Sequence, residues 1–220
     1  MSDFLLIDKP AGWTSHDVVA YLRGVFRGQR IGHAGTLDPF ATGLLVLGLG
    51  PATKKLREIM SLEKEYLATV RFGGRSTTDD KTGAIEEVAG AKPVLRDALL
   101  IALKKFIGEI EQIPPMYSAK KIRGRKLYEL ARRGEVVERK PAKVAIHEIE
   151  LVEDRLPLES VLKIRCSSGT YIRALARDLG EALGSGAYLT ELRRTRIGPY
   201  RVEDAVLPKN VSADKKENRP

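Results

Sequence analysis

Residues 31–54 read IGHAGTLDPFATGLLVLGLGPATK. This stretch sets one carboxylate, Asp38, between a Gly-His-Ala-Gly lead-in and a proline. Gly32 and Gly35 permit backbone angles that other residues resist. Pro39 fixes its own φ and pushes Asp38 toward an extended conformation. Behind the acid, Gly43 to Gly50 is a short apolar run closed by Pro51. It is too short for a typical helix and is punctuated by glycine, which predicts a buried strand. A carboxylate held on a stiff turn therefore abuts a core strand. The plainer alternative for Asp38 is a helix cap or an Asx turn.

On the amino-terminal side, Phe4–Ile7 predicts a strand and Asp8–Gly12 a turn. Thr14 or Ser15 can then cap a helix with Val18, Leu22 and Val25 or Phe26 on its apolar face. Trp13 is read as a core or turn anchor. On the carboxyl side, Lys54–Met60 has helical spacing. Lys64–Phe72 alternates, with Tyr66, Ala68, Val70 and Phe72 on one face, as a half-buried strand requires. Gly73–Gly83 is a polar loop bounded by glycines. Val94–Ile107 predicts an amphipathic helix burying Leu95, Leu99, Ala102, Leu103 and Phe106. Lys143–Val152 and Ser160–Cys166 predict an antiparallel pair. Thr170 is placed to cap a helix reaching about Leu183, which puts Arg173 in its first turn. The helix dipole disfavours a cation there, so Arg173 suggests a buried anionic partner, with an ordinary exposed arginine as the more frequent alternative. Gly186–Ile197 predicts a strand, and Leu192 lies in it beside three bases, Arg193, Arg194 and Arg196.

The 220 residues suit one large domain, drawn here as 1–207, with a polar disordered tail over 208–220. A net charge of +9 and a pI near 9.6 point to a polyanionic partner. The densest basic window runs from Lys120 to Arg133. Lys120, Lys121, Arg123, Arg125 and Lys126 lead it, and Glu129 alone opposes. Such a surface suits phosphate contacts. Cys166 is the single cysteine, so no intramolecular disulfide forms. The three histidines lack metal-ligand spacing, no metal is expected, and a P-loop is excluded by the absence of Gly-Lys-Ser/Thr after the glycines. An acid near the amino terminus argues against a signal peptide. With no apolar run near membrane-spanning length, a cytoplasmic protein is expected.

The run Gly32-His33-Ala34-Gly35-Thr36-Leu37-Asp38-Pro39, with Ala41-Thr42-Gly43-Leu44-Leu45 behind it, resembles the active-site motif of the TruB family of pseudouridine synthases. Four further stretches are similar to that family. They are Lys9-Pro10-Ala11-Gly12-Trp13-Thr14-Ser15, Lys64-Glu65-Tyr66, Pro114-Pro115-Met116-Tyr117-Ser118-Ala119-Lys120-Lys121, and Gly169-Thr170-Tyr171-Ile172-Arg173. The similarity runs from Phe4 to about Val206. It implies an α/β (α+β) pseudouridine synthase fold: a mixed, largely antiparallel sheet with flanking helices and a central catalytic cleft. Many bacterial relatives carry a further carboxy-terminal RNA-binding domain of the PUA type, for which this chain ends too soon.

The resemblance also implies a reaction, isomerisation of uridine to pseudouridine in the tRNA T-loop at position 55. It runs without a cofactor on a base flipped from its stack. Asp38 is then the catalytic residue. Tyr66 packs on the target base, Arg173 pairs with the catalytic acid and keeps it ionised, and His33 fills the vacated space or stacks. Tyr171 and Leu192 are candidates to line the uracil pocket. The basic window follows the stem of the T-arm, and a monomer is expected. Attack at C6, attack at C1′ and an elimination path all remain open. The alternatives are a non-catalytic RNA-binding or RNA-chaperone protein, and a pseudouridine synthase acting on another RNA.

Overall fold

The structure is a computed structural model that describes residues 4–117, 121–122, 125–127, 135 and 137–212. The chain divides into two compact units, Met1–Leu67 with Leu192–Pro220, and Ala68–Glu191. The sequence reads as a single domain over 1–207. Both divisions fall inside continuous strands, so no linker composition marks them.

The first unit is built around β1 (Phe4–Lys9), β2 (Ile31–His33), β3 (Thr42–Leu49), the start of β4 (Lys64–Phe72), the end of β12 (Ala187–Ile197) and β13 (Tyr200–Arg201). Its sheet order is β1-β3-β12-β4, with β2 also on β3 and β13 on β12. β1 and β3 are antiparallel, in register from Phe4 opposite Gly48 to Lys9 opposite Gly43. β3 and β12 run parallel, Arg193 opposite Thr42 and Arg194 opposite Gly43. Helix α1 (Ser15–Val25) covers one face, where Val18, Val19, Leu22 and Phe26 meet Leu5, Ile7, Leu45, Leu47 and Leu49. Helix α2 (Leu56–Ser61) covers the other, where Leu56 and Ile59 meet Leu6, Leu44 and Val46. β3 is thus buried on both faces. That is why its sequence is a continuous apolar run instead of an alternating one. Thr14 starts α1 through a capping box: its hydroxyl accepts from Asp17 N at 3.0 Å, and Asp17 Oδ2 accepts from Thr14 N at 2.8 Å.

Residues 208–211, expected within a disordered tail, are structured. Pro208–Asn210 forms a 3₁₀ turn, and Val211 is buried against the α1 core. Composition misleads here, because one valine among polar neighbours suffices to pin the segment. Upstream, Val206 pairs with β1: Asp8 N donates to Val206 O at 2.9 Å and Val206 N to Leu6 O at 3.1 Å. Residues 213–220 lie outside the described residues.

The second unit holds the start of β12, the end of β4, β5 (Gly74–Ser76), β6 (Ile85–Glu87), α3 (Arg96–Lys104), β7 (Gly108–Gln112), two short strands β8 (Lys121–Ile122) and β9 (Arg125–Lys126), β10 (Ala142–Arg155), β11 (Glu159–Cys166) and α4 (Ile172–Ala182). Its main sheet runs β12-β4-β11-β10-β7, with β10 antiparallel to both neighbours. α3 is shorter than the periodicity suggests: Leu99, Ala102 and Leu103 are buried, whereas Leu95 stands at the cap position and is exposed. The largely antiparallel α/β architecture is the expected one. Among the described residues no helix is long and apolar enough to cross a membrane.

Candidate active site

Asp38 sits on the loop between β2 and β3 and is half-buried. Three buried polar side chains from three elements hold the backbone around it. Ser15, first residue of α1, accepts from Leu37 N at 2.9 Å and donates to Leu37 O at 3.3 Å. Lys9, at the end of β1, donates to Trp13 O at 2.6 Å, Pro10 O at 2.9 Å and Pro39 O at 3.3 Å. Arg194, on β12, donates through Nε to Leu44 O at 2.8 Å and through Nη2 to Gly35 O at 3.1 Å. Gly12 N adds a bond to Pro39 O at 2.8 Å, and Ala41 N closes a turn onto Asp38 O at 3.1 Å. The expected stiff turn is therefore real, and its stiffness comes from distant residues as well as from Pro39.

Two cations are buried close to this carboxylate, since Lys9 is 0% and Arg194 1% exposed. Burial pushes the Lys9 ammonium down to about 8, against the opposing pull of Asp38. His33 is half-buried on β2. Burial first, and then the Arg194 charge, hold its imidazole below the usual range. Its Nδ1 is buried without a hydrogen-bond partner. A neutral His33 at pH 7 follows, suited to stacking or to donating a single hydrogen bond.

Tyr66 is buried on β4, on the face shared with Ala68, Val70 and Phe72, as the alternation requires. Leu192 is buried on β12, the strand that neighbours β4 in the sheet. Asp38, His33, Tyr66 and Leu192 all belong to the first unit, and Tyr171 and Arg173 to the second.

Arg173 lies in the first turn of α4 and is 3% exposed. A buried anion faces it, a different acid from the Asp38 that the resemblance implies: Asp80 Oδ2 lies 3.4 Å from Nη1. Nη1 also donates to Thr78 O at 2.8 Å, and Nη2 to Tyr117 O at 2.7 Å. Asp80 accepts in turn from Thr78 Oγ1 at 2.8 Å, from Thr82 N at 2.9 Å and from the Thr82 hydroxyl. The polar loop after β4 is thus a built acceptor for arginine. Thr170 does not cap α4; its hydroxyl donates back to Ser167 O at 3.0 Å, and Tyr171 takes the cap position. Gln112, buried at the end of β7, grips Tyr171, accepting from its N–H at 2.8 Å and donating to its carbonyl at 3.0 Å. Asp80 and Gln112 escape sequence reading because their partners, Arg173 and Tyr171, lie 59 or more positions away. The only hint was the Thr-x-Asp-x-Thr spacing of residues 78–82.

Of the basic window, Lys120 and Arg123 lie outside the described residues. Lys121, Arg125 and Lys126 are described by backbone alone, as the paired strands β8 and β9. Leu127 is buried, whereas Leu130 and Ala131 lie outside the described residues.

Comparison with known proteins converges on one family. Residues 23–172 match the TruB family pseudouridylate synthase N-terminal domain, and residues 173–217 the tRNA pseudouridylate synthase B C-terminal domain. The tRNA pseudouridine synthase B of Thermobifida fusca is 46% identical over 217 residues, covering 96% of this chain and 74% of that protein. That of Streptomyces avermitilis is 50% identical over 209 residues, covering 91% and 69%. A solved Cbf5-Nop10-Gar1 complex matches with a TM-score of 0.72 at 31% identity, over 93% of this chain and 51% of that one. An H/ACA RNP bound to a substrate RNA containing 2′-deoxyuridine matches with a TM-score of 0.70 at 29% identity, over 94% and 51%. The chain spans about half the length of the chains in those two structures.

Proposed function

The chain belongs to the TruB family of pseudouridylate synthases, and on that premise we propose that it isomerises uridine to pseudouridine in tRNA, at the T-loop uridine. The observation that carries this reading is the loop around Asp38. Ser15, Lys9 and Arg194, from three separate elements, fix the carboxylate-bearing turn through its backbone. Holding a reacting group in one geometry removes entropy from the barrier before the substrate arrives.

In this reading Asp38 is the nucleophile, or stabilises positive charge on the ribose. Tyr66 supplies a flat platform for the flipped base. Arg173 serves the same chemistry as the family's arginine, with Asp80 and two carbonyls fixing its guanidinium. His33, neutral at working pH, stacks in the space the base vacates. Tyr171 and Leu192 line the uracil pocket. Lys120, Lys121, Arg123, Arg125 and Lys126 track phosphates of the T-arm stem without reading sequence. The bond from N1 to the ribose breaks and one from C5 forms. C5 gives up its proton and N1 takes one up, so atoms balance without an oxidant, a reductant or a group donor, and the reaction requires no cofactor. The protein works as a cytoplasmic monomer.

The test is Asp38→Asn on an unmodified tRNA transcript. Pseudouridine formation should disappear, while RNA affinity stays within about tenfold, or roughly 1.4 kcal/mol. Substantial turnover by the variant, or none by the wild type on any uridine-containing T-loop, would overturn the reading. An isolated T-arm hairpin run in parallel tests the recognition element, and should be processed with kcat/KM similar to that of the whole tRNA.

A further inference from the structure

We propose that Arg194 is a positioning residue for Asp38, a staple that ties the two ends of the catalytic loop together. The inference rests on the proposed function, and every residue in it lies within the first unit.

The loop leaves β2 at His33 and enters β3 at Thr42. One guanidinium reaches both sides of it, Gly35 O on the outgoing side and Leu44 O on the incoming side. Both of these acceptors are backbone carbonyls, so the fork spends its donors on the loop's main chain. Burying such a charge is costly, and a neutral side chain would fill the same space more cheaply. What only arginine supplies is a rigid planar fork with donors at fixed separation.

The backbone beneath the fork is itself constrained. Gly43 has φ +100°, and a Cβ there would stand 2.3 Å from Arg194 O and 2.8 Å from Arg194 N. β12 is therefore pressed directly onto the start of β3, which leaves the guanidinium little room to sample other acceptors. Gly35, at φ +92°, would aim a Cβ at Arg194 Nη1 from 3.6 Å. Gly43 thus admits the β12 backbone, whereas a Cβ at Gly35 would only reach ordinary contact distance from the guanidinium. Lys9 holds the far side of the same loop through Pro39 O. Asp38 is suspended between two buried cations that touch its neighbours' carbonyls.

The neighbouring bases on β12 do other work. Arg193 pairs with Asp8 through two bonds of 3.0 and 2.8 Å, and Arg196 pairs with Glu63 at 2.7 Å. Both are partly exposed ion pairs, and neither binds the loop backbone. Arg196 is the natural control.

The experiment compares R194K, R194Q and R196K. R194K keeps the charge and loses the fork; R194Q keeps a planar donor and loses the charge. Single-turnover rates are taken at saturating RNA and expressed per folded molecule by circular dichroism. RNA Kd and amide exchange at Leu37 and Ala41 are measured alongside. R194K should lower the rate about 10- to 100-fold, as a displaced catalytic group does, with Kd within about threefold. Exchange at both amides should quicken by about tenfold or more, reporting a loosened loop. R196K should leave all three readouts unchanged. A wild-type rate per folded R194K molecule, a loss that lies wholly in Kd, or unchanged exchange in both Arg194 variants would overturn the proposal. Should the wild type itself form no pseudouridine, the functional reading falls, while the exchange data still decide whether Arg194 staples the loop.

Discussion

Neutralising Asp80 should unlatch Arg173. The two side chains are each about 4% exposed and stand 3.4 Å apart. At an effective dielectric of about 20, opposite charges at that distance attract by about 5 kcal/mol. Removing one partner of a buried pair costs about 3–5 kcal/mol, because the other stays desolvated. Asp80→Asn keeps an acceptor for the hydroxyls of Thr78 and Thr82, so the change isolates charge. Arg173 also keeps the carbonyls of Thr78 and Tyr117. The expected loss therefore lies at the low end, about 3 kcal/mol, or roughly 6–12 °C in Tm for a chain of this size. Urea unfolding at pH 7 of Asp80→Asn, Arg173→Gln and the double variant closes a cycle. Its coupling energy should be about 2–3 kcal/mol. A coupling below about 0.5 kcal/mol, the level at which independent sites add, would refute the latch. Activity of Asp80→Asn should fall as well if Arg173 serves the reaction.

Gly43→Ala should destabilise severely, by about 3 kcal/mol or more, because its Cβ would overlap the Arg194 backbone at 2.3 Å. Gly28→Ala, also at positive φ (+77°) but facing open space, should cost only the backbone strain of about 1–2 kcal/mol; thermal melts of both variants check the contrast. Lys9 gives a pH signature. Its folded pKa, near 8, lies below the unfolded value of 10.5, so the unfolded chain binds more protons between them and stability rises with pH across that window. Wild type relative to Lys9→Met should gain about 3 kcal/mol from pH 8 to 10.5, read from denaturant unfolding at several pH values; a flat difference would count against a desolvated ammonium.

The elements that sequence made legible are those where local pattern and burial agree. Alternation along 64–72 put Tyr66 on the buried face, where it lies. The glycine-bounded run at 43–50 is a core strand. Arg173 looked misplaced at a helix start, and the anion that explains it is present. What remained hidden depends on distant backbone. Lys9 read as a turn residue, and nothing within four residues suggests that its ammonium reaches Pro39 O, thirty positions away. Arg194 looked like one base among three until strand pairing set it opposite Gly43. Asp80 lay in a loop whose composition announces only solubility. The ordering of residues 208–211 has the same origin, since Val211 is pinned by a tertiary contact with no local signature.

The pairing of Val206 with β1 has a bearing on synthesis. β1 is the outermost strand of its unit, bonded to β3 on one side. Its other side is met by Val206, which bonds Leu6 O and Asp8 N. An uncovered, largely apolar edge is a template for another chain, and the sequence here is Phe-Leu-Leu-Ile. Its cover lies some 200 residues later in the sequence, at Val206. At about 5–20 residues per second, β1 waits roughly 10–40 s on the ribosome before residue 206 exists. Throughout that interval this edge of β1 lacks the Val206 bonds and is open to pairing with another chain.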